Sequence, residues 1–235
     1  MGQYYRGVVL GKTTKRAKKI IVRQAFCCYA HNNGAKLMEH SYVGNYYVKE
    51  YENSLATTFY GYPFVWVGDY ADEKFDVDVY TEANDFINKV ADKIAKYQGY
   101  KKIIDNHYDT KYINKDGERK SITEFYDKSQ YDNLPTYEYI INFTKRLFIK
   151  IPKEDKNVYT VHPLPLLCAD GNGRGGGDYV GTNMDLIGSW AYDRIGVSNV
   201  LPKGFNRELV ATFVESYEGG DSSLNDYKIV NHKEN

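Results

Sequence analysis

The apolar positions at the start of the chain fall into two short blocks. Tyr4 to Leu10 and Lys19 to Tyr29 are rich in β-branched and aromatic side chains and are joined by GKTTKRAK, which predicts a strand, a turn and a second strand. His31, Asn32, Asn33 and Gly34 supply the next turn. Tyr46, Val48, Tyr51, Leu55 and Phe59 then fall near helical spacing with Asn45 placed to cap, so a helix is expected from about Tyr46 to Thr57. Phe64 to Tyr70, FVWVGDY, is an apolar run bounded by Pro63 and Asp69 and reads as a buried strand. The clearest element is TEANDFINKVADKIAKYQG. In it Ala83, Phe86, Ile87, Val90, Ala91, Ile94 and Tyr97 trace one face, with Thr81 as cap and Gly99 as stop.

Beyond this helix the pattern loosens. Lys101 to Thr136 is polar and tyrosine-rich, with a turn at Asp116-Gly117, and reads as an excursion holding a short helix near Ile122 to Asp127. Strands resume at TYEYIINFTKRLFIKI, where Phe143-Thr144-Lys145 can turn a hairpin, and at Asn157 to His162. Leu186 to Tyr192, Arg194 to Val200 and Glu208 to Tyr217 are short and strand-like. Together these elements predict an α+β fold, a mainly antiparallel sheet with two or three helices packed on one face. A single domain is expected over residues 1–217, with a loosely ordered tail over 218–235.

Composition adds constraints. Apolar residues are 42% of the 235, enough for a continuous core, and a formal net charge of zero argues against general nucleic-acid binding. The basic run Lys12, Lys15, Arg16, Lys18, Lys19 and Arg23 reads as a solvated hairpin edge. Tyrosine is in excess at 24 residues, suited to half-buried surfaces and interfaces, so an oligomer or a protein partner fits the composition. Three cysteines in a chain of this length point away from a disulfide framework. No apolar run approaches the roughly 20 residues of a spanning helix, and a cytoplasmic protein without membrane contact is expected.

Candidate chemistry concentrates in HPLPLLCADGNGRGGGDY, His162 to Tyr179. Consecutive glycines let backbone N–H groups converge into an anion-binding nest, and an arginine fork suits phosphate. Gly171, Asn172, Gly173, Arg174, Gly175, Gly176, Gly177 and Asp178 are therefore the expected ligand-binding loop, with Trp66 and Trp190 as stacking walls. Asp170 or Asp178 could hold magnesium against the same phosphate. The plain alternative is a wide turn rich in positive-φ positions.

GVVLGKTT, Gly7 to Thr14, is one residue short of the phosphate-binding loop spacing and reads as a hairpin turn. His31, Glu39, His40, Cys27 and Cys28 lie close in sequence, but His40 beside Glu39 points the two apart if the segment is extended. A nucleophile built from Cys168 or Cys28 with His162 or His40 is the remaining covalent option.

Asp170-Gly171-Asn172-Gly173-Arg174 resembles the core of the Fic adenylyltransferase motif. In that family a histidine acts as base, an acid holds magnesium and the Gly-Asn backbone binds phosphate, which implies a magnesium-holding role for Asp170; an enzyme built on the loop would use His162 as base, Asp170 or Asp178 as metal ligand and Arg174 as charge stabiliser. The resemblance covers those five residues: His162 lies eight positions ahead of Asp170, not four, and Gly177 stands where a second arginine is expected. As a whole the chain resembles a set of proteins from gut bacteria and their phages through its MGQYY start, GAKLMEHSYVGN, FVWVGDYAD, and HPLPLL followed by GNGRGGGDY. That resemblance implies a mobile-element context and no particular activity. The leading expectation is a binding protein for a phosphate-bearing small molecule of nucleotide type, acting on a host system. The alternatives are an inhibitor of a host protein using the tyrosine-rich surface between Lys101 and Tyr139, and a phosphoryl or nucleotidyl transferase or hydrolase using the same loop.

Overall fold

The computed structural model describes residues 2–11, 20–28, 36–74, 76–104, 111–126, 133–153, 159–216 and 220–233. The expected opening strands form: β1 (Tyr5–Leu10) and β2 (Val22–Ala25) pair antiparallel, and β3 (Tyr62–Gly68) pairs with the other edge of β1. The turn between β1 and β2, most of the basic run, and the His31 to Gly34 turn lie outside the described residues.

Alternation along β1 and β3 divides the core. Tyr5, Val9, Phe64 and Trp66 face one side and Val8, Leu10, Val65 and Val67 the other. The first face is covered by α2 (Tyr46–Ala56), reached after the short helix α1 (Leu37–His40), and the second by α3 (Val79–Tyr97). The helices are thus shared between both faces of an α+β sheet that is, as expected, mainly antiparallel.

Asn45 caps α2, accepting from the N–H groups of Tyr47 and Val48. Helix α3 buries a row at four-residue spacing, Val79, Ala83, Ile87, Ala91 and Ala95. Its cap is Asp78, which accepts from the Thr81 N–H and hydroxyl, so the expected cap Thr81 sits inside the first turn.

The excursion after α3 is a second, three-stranded sheet, β4 (Lys101–Ile104), β5 (Lys111–Ile113) and β6 (Arg119–Ser121), followed by a 3₁₀ turn over Ile122–Phe125. Tyr100, Tyr112 and Phe125 pack on Ala91 and Ala95 to give it a small core. The hairpin expected around Phe143 is present as β7 (Tyr139–Asn142) and β8 (Leu147–Lys150).

Of the strand expected at Asn157 to His162, residues 157 and 158 lie outside the described residues and the rest forms no regular strand. Val161 makes one isolated bridge to Tyr42, and Pro163–Leu167 is a buried helical turn, α4, leading into β9 (Ala169–Asp170) beside β3. Leu186 to Tyr192 forms no strand: it starts in a 3₁₀ turn, Met184–Leu186, and continues as turns. Then β10 (Arg194–Ser198) joins β3 to β7. At the far side β11 (Arg207–Ala211) runs parallel to β8. The tail expected to be loose contributes β12 (Tyr227–Asn231), an edge strand paired with β11 over five residues. The large sheet runs β12-β11-β8-β7-β10-β3-β1-β2, with β9 added at β3. Among the described residues no helix is long and apolar enough to cross a membrane.

Candidate functional site

The glycine loop folds as the sequence suggests, into a nest of backbone N–H groups, but its anion comes from the chain. Asp178 Oδ2 accepts from the N–H groups of Gly173, Arg174 and Gly175 at 2.8, 3.0 and 2.9 Å, and its Oδ1 accepts from the Tyr5 hydroxyl at 2.7 Å. Burial and the Asp178 carboxylate push the Tyr5 phenol far above its ordinary range, so it stays a donor. Asn172 closes the loop by exchanging two hydrogen bonds with the Tyr179 backbone.

Several of the glycines are accounted for by what lies on them: Gly171 and Gly175 meet Gln3 and Gly177 meets Lys36. A Cβ at Gly175 would sit 2.5 Å from the Gln3 backbone nitrogen. At Gly177 (φ +87°) it would meet the Lys36 side chain. Gly176 bridges to Gly2. This is a clamp that fastens the start of β1, and removing its centre is costly. Asp178→Ala is expected to lower stability by about 2–3 kcal/mol through the loss of charge-assisted bonds, seen in a thermal melt as a fall of roughly 5–10 °C.

Arg174 is likewise committed. Its guanidinium makes a two-pronged pair with the Asp72 carboxylate, at 3.0 and 2.7 Å, and also donates to the Tyr70 carbonyl. The pair raises the arginine further and lowers Asp72 below its usual value. Its contribution is therefore present above the unfolded carboxylate pKa and fades as pH falls through the depressed one, and full exposure keeps it small. Asp170 accepts from the Tyr192 hydroxyl at 2.6 Å. With Asp170 and Asp178 engaged inside the protein, neither offers the open donor set magnesium needs, and no metal-binding group of three or more His, Cys, Asp or Glu side chains occurs among the described residues.

The two indoles are core residues, not stacking walls: Trp66 is 0% and Trp190 1% exposed. Trp66 Nε1 donates to His40 Nε2 at 2.7 Å, which places His40 in the core as an acceptor. The three thiols are buried and free of disulfides, and burial drives Cys28 and Cys168 far above the ordinary thiol value, so no activated nucleophile forms.

His162, the remaining candidate, stands apart from the loop. It caps α4, its Nδ1 accepting the Leu164 N–H at 3.2 Å. Pro163, in the first helical position, has no N–H to satisfy. With Nδ1 an acceptor, the proton is on Nε2 and is donated to Glu52 Oε1 at 3.0 Å. Both side chains are nearly sealed, 2% and 6% exposed. Glu52 comes from α2, where it falls on the buried stripe with Val48, Tyr51 and Leu55. A glutamate on an apolar stripe was the available sequence signal for it.

The pair lines a cleft of about 550 Å³ between α2 and the open end of the β7–β8 hairpin. Tyr137 and Tyr139 line it, together with Lys49, Lys150 and Lys153. Burial and the adjacent Glu52 charge raise the Tyr137 phenol above its ordinary value, and its hydroxyl donates to Asn53 at 3.1 Å. None of residues 170–178 lines this cleft, so the structure separates His162 from Asp170 and Arg174. The residues on offer are a buried carboxylate held by a histidine, two tyrosines and three lysines. No family model, no curated protein and no solved structure matches this chain.

Proposed function

We propose that the protein binds a phosphate-bearing small molecule of nucleotide type, in the cleft over the His162–Glu52 pair and not in the glycine loop. The observation that carries this reading is a buried carboxylate, held by a buried histidine, lining a cleft that also presents tyrosines and lysines. Its volume lies within the span of about 300–1,000 Å³ usual for small-molecule sites. Glu52 suits ribose hydroxyls or an exocyclic amine, Tyr137 suits a base, and Lys153 suits phosphate.

Binding is preferred to turnover because both His162 nitrogens are engaged, which leaves no lone pair to accept a substrate proton. The tyrosine-rich excursion supports a partner surface less well, since Tyr112 and Phe125 are spent in its own core. In the mobile-element context implied by the sequence resemblance, the role is to withdraw a nucleotide from a host system in the cytoplasm.

A thermal-shift panel of nucleoside mono- and triphosphates on the wild type, Lys153→Glu and Arg174→Ala tests the location. A ligand at 100 times its Kd adds about 2.7 kcal/mol, a rise of roughly 5–10 °C in a chain of this size. The expected result is a rise in the wild type and in Arg174→Ala that is lost in Lys153→Glu, whose exposed side chain carries no fold. A rise that disappears in Arg174→Ala and persists in Lys153→Glu would return the ligand to the glycine loop. No rise with any compound would remove the nucleotide reading.

A further inference from the structure

A second cleft, also about 550 Å³, opens on the other side of Tyr139 and Lys150, the two residues that line both cavities. Tyr139 and Lys150 are partners on one rung of the β7–β8 hairpin. The two clefts therefore adjoin along a single rung of the hairpin, where Lys150 lines both.

The second cleft also pairs a buried glutamate with a histidine, although here the imidazole is 47% exposed. Glu208, buried on β11, accepts from His232 Nε2 at 2.6 Å and pairs with Lys150 at 3.2 Å. Phe148 and Phe205 supply rings, and Lys203 and Lys233 supply charge. Each cleft is thus lined by one buried glutamate with a histidine partner, at least one aromatic residue and its own lysines. Lys150, 60% exposed, stands where the two meet. Across both cavities five lysines face three glutamates, so this face is positive in a chain with formal net charge zero.

Resting on the nucleotide reading above, we propose that the two clefts are halves of one site for a dinucleotide, two nucleoside units joined through phosphate. One unit lies over Glu52 and Tyr137, the other over Glu208 and Phe205, and Lys150 meets the linking phosphate. Two adjoining clefts of similar volume, each with a buried glutamate in its lining, are what two like units require. A mononucleotide fills one cleft and leaves the second Glu–His pair and its lysines unused.

The test is calorimetric titration of the full chain with AMP, GMP, the linear dinucleotides pApA and pGpG, and the cyclic dinucleotides of adenosine and guanosine. The expected result is one dinucleotide per chain, bound at least about tenfold more tightly than the matching mononucleotide because the second unit binds at high effective concentration. Glu208→Gln, which keeps an acceptor for His232, and Lys203→Glu, on an exposed side chain, are each expected to erase that preference. Dinucleotides binding no more tightly than mononucleotides would overturn the two-cleft site while leaving the first cleft's reading intact. Two mononucleotides per chain without a dinucleotide preference would overturn it as well, and no binding by any of the six would overturn both readings.

Discussion

Glu52→Ala is expected to abolish nucleotide binding and to destabilise the fold by about 3 kcal/mol. The stability loss has a local cause: His162 is almost fully buried, its Nε2–H is aimed at the Glu52 carboxylate, and truncation leaves that proton without an acceptor. An orphaned buried donor costs about 1–3 kcal/mol, and the vacated volume inside α2 adds to it. Because the imidazole also caps α4 through Nδ1, it is not free to rotate toward another partner. Glu52→Gln separates the two effects. Its carbonyl still accepts from His162, so the melting temperature stays within a few degrees, but the other side-chain atom becomes a donor, and affinity for a nucleotide falls at least about tenfold as a hydroxyl or amine on the ligand loses its acceptor. A melt and a titration on the two variants check this. Equal affinity in Glu52→Gln and wild type would mean that the ligand does not touch this carboxylate.

The second large effect concerns the core. Trp66→Ala is expected to cost about 4 kcal/mol and to lower the melting temperature by roughly 10 °C. Trp66 sits on the central strand β3 at 0% exposure, with the rings of Tyr51, Tyr47, Phe64 and His40 at centroid distances of 5.1 to 5.8 Å. Its indole N–H is the donor to His40 Nε2. Trp66→Phe keeps an aromatic ring and drops the donor, and is expected to cost about half as much. Neither variant is expected to alter nucleotide affinity by more than the loss of folded protein explains. A selective loss of binding in Trp66→Phe would reinstate the indole as a ligand wall.

Legibility in the sequence followed the strength of local signals. Helix α2 was readable because Asn45 and the Val48–Tyr51–Leu55 spacing agree, and α3 because its apolar row repeats every four residues. The β4–β6 sheet was hidden because its strands are three or four residues long, carry lysine and arginine, and are fixed by Tyr100, Tyr112 and Phe125 packing on a helix. Helix α4 was hidden by its prolines: Pro163 and Pro165 read as breakers, although a missing N–H in the first turn leaves nothing unsatisfied. The tail strand β12 is exposed and polar, and only its partner β11 specifies it.

At the site, the physics of the glycine loop was right and its anion was misplaced. Asp178 lies three to five residues from the amides it receives, so an internal acceptor was present in the quoted motif all along. His162 was visible, but its partner is 110 positions away and comes from a different element, a pairing that no local spacing encodes.

The most direct test of where the ligand sits is photoaffinity labelling with an 8-azidoadenosine nucleotide, followed by mapping of the modified peptide. Saturable labelling of Tyr137 or Tyr139, competed by unmodified nucleotide, is the expected result, since these rings line the cleft over His162 and Glu52. Labelling confined to residues 171–178 would contradict the account and restore the glycine loop as the binding site.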